Sequence, residues 1–327
     1  MRLPDFLIIG EMRCGTTTLW DCLRQHPGVY FPPEKELHYF ASYRRFDHHG
    51  RHGRTPIDRY AAHFAPAGSD QICGEATPNY LFDPVACARI REALPDVRLV
   101  AILRDPIGRA WSHYWHQIRQ LREHLGFVAA LDAERTRTAS KDPDDVDAFS
   151  YIARGRYIEN LTRYADAFGA ARLCVVFLED MQRNGLRALQ PAFHHLGLQA
   201  SEAPDDYVLP SKNQAGYPKS SKLDAFCRIG RRCAEACGPL AAVPANAIAS
   251  LTRPWRIYSG RPRMTRRIRA RLAAEFDESD HALAEWLGRA LPWRRDAFGD
   301  RNSRVFSIPH GIKADAPHDV CTRRRAG

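Results

Sequence analysis

The chain has 327 residues, long enough to bury a sizeable core, which excludes a fold that must be held by disulfides or zinc. Lys plus Arg exceeds Asp plus Glu by 48 to 38, giving a formal charge of +10 that attracts a polyanion or an anionic cofactor. The nine cysteines are odd in number and lack both CxxC pairs and Cys/His ligand spacing, so a disulfide scaffold or zinc ribbon is excluded and a reducing compartment fits best.

In chain order, Phe6-Leu-Ile-Ile9 reads as a short buried strand. It is too short for a signal peptide, and no later run approaches the roughly 20 apolar residues of a membrane span, so the expectation is a soluble cytoplasmic protein. Residues 10–15 read as a tight loop, and 16–25 as a helix with Leu19 and Leu23 on one face, ended by His26-Pro27. Residues 99–103 repeat the idea: an apolar strand, then Arg104-Asp105-Pro106, then a helix through about Gln120 with proline in its first turn. The charge-dense stretch 132–147 reads as a solvated helix end and loop. A third strand, 173–178, ends at Glu179-Asp180. Residues 205–222 are polar and turn-rich, a predicted mobile surface loop able to close over a ligand. Residues 253–271 are dense in arginine, with Ile268, Leu272 and Phe276 recurring every four residues, which predicts a basic amphipathic helix in a C-terminal helical region spanning 253–291. Strands alternating with helices predict an α/β class, a mostly parallel central sheet flanked by helices, in a single domain covering 1–327.

Chemistry concentrates in a few segments. Gly10-Glu-Met-Arg-Cys-Gly-Thr-Thr-Thr18 has the glycine spacing of a phosphate-cradling loop at a helix N-terminus. The Lys-Ser/Thr pair of a nucleoside-triphosphatase loop is absent, so Arg13 carries the fixed positive charge; the plain alternative is an ordinary strand-to-helix turn. At the end of the second strand stands Arg104, where a magnesium-dependent phosphotransferase would place an acidic residue; an arginine suits direct phosphate contact, with Ser112 two turns on as a hydroxyl donor. Alone, Arg104 reads as a surface or helix-capping arginine; paired with the first loop it favours a nucleotide carrying phosphate at two separate places. In residues 33–40, Glu36 and His38 would share a face if the segment is extended, setting a carboxylate base beside an imidazole; a solvated turn is the alternative.

These residues carry a family resemblance. Phe6-Leu-Ile-Ile-Gly-Glu-Met-Arg-Cys-Gly-Thr-Thr-Thr-Leu-Trp20, Lys35-Glu-Leu-His-Tyr-Phe40, Gly74-Glu-Ala-Thr-Pro-Asn-Tyr80 and the stretch from Arg98 to Tyr114 resemble, in chain order, sulfotransferases dependent on 3'-phosphoadenosine 5'-phosphosulfate (PAPS). The similarity is to the carbohydrate, heparan-type branch and its bacterial relatives. Weaker likeness continues through Gly155-Arg-Tyr157, residues 175–180 and 193–198, and 252–327 match loosely.

The resemblance implies a P-loop-like three-layer fold and the cofactor PAPS, with adenosine 3',5'-bisphosphate as product. It assigns Arg13, Cys14, Gly15, Thr16, Thr17 and Thr18 to the 5'-phosphosulfate, and Arg104 and Ser112 to the 3'-phosphate, with Arg261 in a faint late Gly-Arg element. Glu36 matches the family base; His38 supports the base or the acceptor; Lys35 contacts cofactor or substrate; Thr77 and Tyr80 fall in the segment lining the acceptor cleft. The familiar loop lysine is Arg13 here, whose proton is unavailable, so its role is electrostatic. The implied reaction moves a sulfuryl group to a hydroxyl of a carbohydrate, glycolipid or other small molecule, without a metal. A metal-dependent small-molecule kinase and a basic nucleic-acid-binding protein are the competing classes, the second motivated by residues 253–271 and Arg323-Arg324-Arg325.

Overall fold

The three apolar runs of the sequence form β1 (Phe6–Gly10), β4 (Arg98–Leu103) and β5 (Leu173–Phe177), and two strands not expected from the sequence, β2 (Val29–Tyr30) and β3 (Ile72–Ala76), complete a parallel sheet in the order β2-β3-β1-β4-β5. β1 lies between β3 and β4, with Phe6 facing Gly74 on one side and Arg98 on the other. A strand covered on both faces needs no polar alternation, which is why Phe-Leu-Ile-Ile-Gly is buried throughout. The computed structural model describes residues 1–42, 56–199, 216–218, 225–227, 229–230, 257–259 and 263–294.

Helices flank the sheet: α1 (Thr16–Leu23), α2 (Ile57–Ala62), α3 (Pro84–Ala93), α4 (Pro106–Arg119), α5 (Phe127–Thr138), α6 (Pro143–Phe149), α7 (Tyr157–Phe168), α8 (Leu178–Asn184), α9 (Gln190–Leu196) and α10 (Arg266–Leu287). An Asp-Pro pair opens α3, α4 and α6: Asp83, Asp105 and Asp142 each accept from the amide two residues on, while proline fills a position whose N–H would be orphaned. The central core surrounds the sheet. A second apolar cluster joins α4, α5 and α10 through Tyr114, Phe127, Leu272 and Phe276, with Trp111 and Trp115 packed against it.

Several elements differ from expectation. α1 stops at Leu23, and the third strand stops at Phe177 because Leu178 already begins α8. The stretch 132–147 holds the expected exposed helix end, that of α5, and a short exposed loop over 139–142, but it also holds most of α6, and Asp147 is fully buried. Its charge density hid a cap, Asp142, and a core ion pair described below. Of the predicted 205–222 loop only β6 (Gly216–Pro218) is described, paired antiparallel with β7 (Ile257–Ser259); the remainder lies outside the described residues. The basic helix starts at Arg266, and residues 253–256, 260–262 and 323–325 also lie outside them. Among the described residues no helix is long and apolar enough to cross a membrane.

Candidate active site

In a parallel sheet all strands point the same way, so the loops leaving β3, β1 and β4 emerge side by side at one edge, where such sheets bind ligands. The middle loop, residues 11–15, joins β1 to α1. Gly15 caps α1 with φ 100°, a left-handed conformation that favours glycine, and a side chain there would also have to displace the tip of Leu178 at 2.8 Å. No side chain caps α1, which leaves its first-turn N–H groups, those of Thr16, Thr17 and Thr18, facing outward as a helix N-terminus presents them to an anion.

On the β4 side, Arg104 Nη1 donates to the carbonyl of Arg13 at 3.0 Å, and Arg13 Nε donates to Ser112 Oγ at 3.2 Å. Thus Arg13, Arg104 and Ser112, spread over the sequence, converge on one loop. Arg104 Nε is buried without a hydrogen-bond partner among the described residues. A buried guanidinium donor left without an acceptor is costly unless an anion completes it, so the residues present fit a phosphorylated ligand.

On the β3 side lies Lys35-Glu36-His38. Lys35 Nζ is 2.7 Å from Glu36 Oε1, and His38 Nε2 is 3.4 Å from Glu36 Oε2. The expected extended segment is absent: Glu36 and His38 have φ 69° and 54°, left-handed turns that fold the two side chains together instead of spacing them along a strand. The Glu36 side chain is 36 % exposed, so its carboxylate stays within reach of a ligand. Burial pushes its pKa up, but Lys35 and His38 outweigh that and hold the carboxyl well below the usual range.

Three expected contacts change meaning. Thr77 and Tyr80 are completely buried, so they do not line an open cleft. Their hydroxyls lie under the Glu36 segment, Thr77 Oγ1 accepting from the His38 amide at 3.2 Å and Tyr80 Oη from the Phe40 amide at 3.3 Å. Cys14 points into the core: its amide donates to the Glu11 carbonyl, its thiol touches Tyr157 Oη at 3.4 Å, and burial with the nearby Glu11 charge pushes the thiol up to about 12. It offers an anion neither a donor nor a thiolate. Arg261 lies outside the described residues.

The sequence reading missed the interior support of the loop. Glu11 Oε1 accepts from the Met12 amide at 2.7 Å and from Arg154 at 2.6 Å. Arg154, fully buried, also pairs with Asp147 at 2.5 Å, which accepts from Asn79 Nδ2 at 2.7 Å, and it lies 4.5 Å over the Phe82 ring. The only available signal was an acidic residue inside an otherwise cationic loop, which must find a partner if buried. Glu75, equally unforeseen, sits fully enclosed beneath His38. Trp111 and Trp115 belong to the second core cluster, and part of the basic helix is paired: Arg269 with Asp105 and Arg271 with Asp132.

No family model matches the chain. In sequence it is similar to membrane-associated sulfotransferase kil1 of Dictyostelium discoideum, 35% identical over 125 residues, covering 37% of this chain and 25% of that protein. It is also similar to carbohydrate sulfotransferase 15 of Homo sapiens, 32% identical over 34% of this chain and 27% of that one, and to the human bifunctional heparan sulfate N-deacetylase/N-sulfotransferase 3, 33% identical over 36% and 13%. The chain spans about a quarter or less of the length of these curated relatives. Across 89% of its own length and 98% of the other, it superposes on a sulfotransferase from Alicyclobacillus acidocaldarius with a TM-score of 0.65 and 24% identity. The two chains share a fold.

Proposed function

We propose that the chain is a PAPS-dependent sulfotransferase acting on a hydroxyl of a carbohydrate, glycolipid or other small molecule. The observation that carries this reading is the order along the sheet edge: Lys35-Glu36-His38 beyond β3, the open N-terminus of α1 after β1, and Arg104 with Ser112 beyond β4. A proton acceptor, an anion cradle and a second cationic site in line suit a nucleotide with phosphate at two places and an acceptor on the far side. The relatives that match in part support the same class, and their names motivate the carbohydrate-like acceptor.

When bound, PAPS supplies an activated sulfuryl group with a phosphate leaving oxygen. Arg13 and the first-turn N–H groups of α1, including those of Thr16, Thr17 and Thr18, would hold negative charge on that phosphate, and Arg104 with Ser112 would hold the 3'-phosphate. Arg13 is fixed by Ser112, and its proton stays in place, so it works by charge alone. Glu36 accepts the acceptor's proton at a carboxylate oxygen, His38 orients that carboxylate, and Lys35, 2.7 Å from Glu36, would contact the cofactor or the substrate. None of these roles calls for a metal. The described cysteines, all free and buried, are consistent with a reducing compartment.

Calorimetric titration tests the reading. Adenosine 3',5'-bisphosphate binds wild type in the presence of a chelator, and Arg104→Ala weakens it at least tenfold, the loss of a charge-assisted contact. Absence of bisphosphate binding beside magnesium-dependent ATP binding would overturn it in favour of a kinase.

A further inference from the structure

Glu75 is the penultimate residue of β3, a carboxylate 2 % exposed, with no cation bonded to it among the described residues. Three hydroxyls surround it. Thr77 Oγ1 lies 2.7 Å and Tyr80 Oη 2.8 Å from Glu75 Oε1, and Tyr60 Oη lies 2.5 Å from Oε2. Two of these hydroxyls have a second contact that fixes their polarity. The His38 amide reaches Thr77 Oγ1 and the Phe40 amide reaches Tyr80 Oη, and an amide N–H can only donate. Each hydroxyl therefore accepts from the loop and has its single proton left for Glu75. Tyr60 completes the assembly from α2, its ring stacked 4.4 Å from Tyr39 and edge-on to Phe40.

We infer that Glu75 is the positioning residue of the base: through Thr77 and Tyr80 it orients the acceptors that grip the amides of His38 and Phe40, and so holds the left-handed turns that set Glu36 against His38. The inference rests on the reading of Glu36 as the base. Without the carboxylate, the two hydroxyl protons have no buried acceptor and turn toward the loop, where they meet the amides donor to donor. The segment from Glu36 to Phe40 then loses its anchors, while the anion cradle, built on β1 and β4, keeps its own. Glu75 never touches the reacting atoms.

The test uses the full chain and the variants Glu75→Met, Thr77→Val and Thr77→Ser. One readout is amide hydrogen exchange by NMR. The His38 amide exchanges at least tenfold faster in Thr77→Val, both the His38 and Phe40 amides do so in Glu75→Met, and β4 amides stay within twofold. The second readout is slow hydrolysis of PAPS: a water oxygen bonds to sulfur, the sulfur–oxygen bond to phosphate breaks, and the water proton passes to Glu36. Its kcat falls at least tenfold in Thr77→Val with KM for PAPS within twofold, and Thr77→Ser, which restores the hydroxyl, recovers most of it. If Glu75→Met does not fold, the Thr77 pair carries the same test. Unchanged exchange at the His38 amide in Thr77→Val, or a fall in kcat that Thr77→Ser does not recover, overturns the inference. A wild type that neither binds the bisphosphate nor hydrolyses PAPS overturns the proposed function instead, and the exchange rates still decide whether Glu75 holds the loop.

Discussion

Lys35 and Glu36 are neighbours in sequence, and their 2.7 Å contact has a chemical consequence. A base held below the usual carboxylate range is always ionised near neutral pH, but it is a weak proton acceptor while the ammonium stays on it. Lys35→Met removes the Lys35 charge, the largest single downward pull, so the Glu36 pKa rises. The acid limb of the pH profile of kcat/KM for PAPS hydrolysis, where Glu36 must be deprotonated, is expected to move to higher pH in the variant. A limb that stays in place would mean that Lys35 does not set the charge on Glu36. Both residues were legible as candidates in Lys-Glu-Leu-His, but their geometry was not. Positive φ at Glu36 and His38 is unusual for side-chain-bearing residues, and the amides of His38 and Phe40 in the same turn are held by the hydroxyls of Thr77 and Tyr80, distant in the chain.

At the scale of elements, the β1–α1 loop is braced from within by α6 and the turn before α7, through Asp147 and Arg154. Arg154→Gln leaves Glu11 and Asp147 buried without their cation. Denaturant unfolding is expected to show a loss of about 3–5 kcal/mol, since breaking a buried pair strands its partner charge. A loss under 1 kcal/mol would mean that the carboxylates find water or protons at little cost. The C-terminal half of α10 holds another buried carboxylate, Asp280, bonded to Trp293 Nε1 at 2.9 Å. Burial, chiefly, pushes Asp280 up from 3.8 to about 7. A raised carboxyl favours the protonated form in the folded state, so its contribution to stability is greatest at low pH and is lost as pH rises toward and through 7. The loss is on the order of 4 kcal/mol. Asp280→Asn keeps an acceptor for Trp293 and removes the titration, so its unfolding free energy should fall less than that of wild type between pH 5 and 8. Parallel slopes for the two proteins would refute the assignment.

Across the whole molecule, a positive net charge and a cradle shared by three loops predict that ligand and fold are coupled. Bisphosphate at one hundred times its Kd should stabilise the native state by about 2.7 kcal/mol, read as a rise in Tm that persists with chelator and falls to about half or less at the same ligand concentration in Arg104→Ala. An equal rise in that variant would place the ligand elsewhere.

The sequence by itself determined the parallel α/β class, the strand-loop-helix at the N-terminus and the identity of the cationic and acidic residues at the sheet edge. Those signals are local: unbroken apolar runs mark strands buried on both faces, glycine marks a left-handed cap, and Asp-Pro marks a helix start. Only the tertiary structure decided which of them meet. Strand order brings Arg104 and Ser112 to the loop of Arg13, and puts β3 with its buried Glu75 beneath Glu36. It also buries Cys14, Thr77 and Tyr80, which read as contacts to ligand and serve instead as interior support. Burial and hydrogen-bond polarity depend on residues distant in the chain, so a sequence that names the chemistry of a side chain leaves open what that side chain faces.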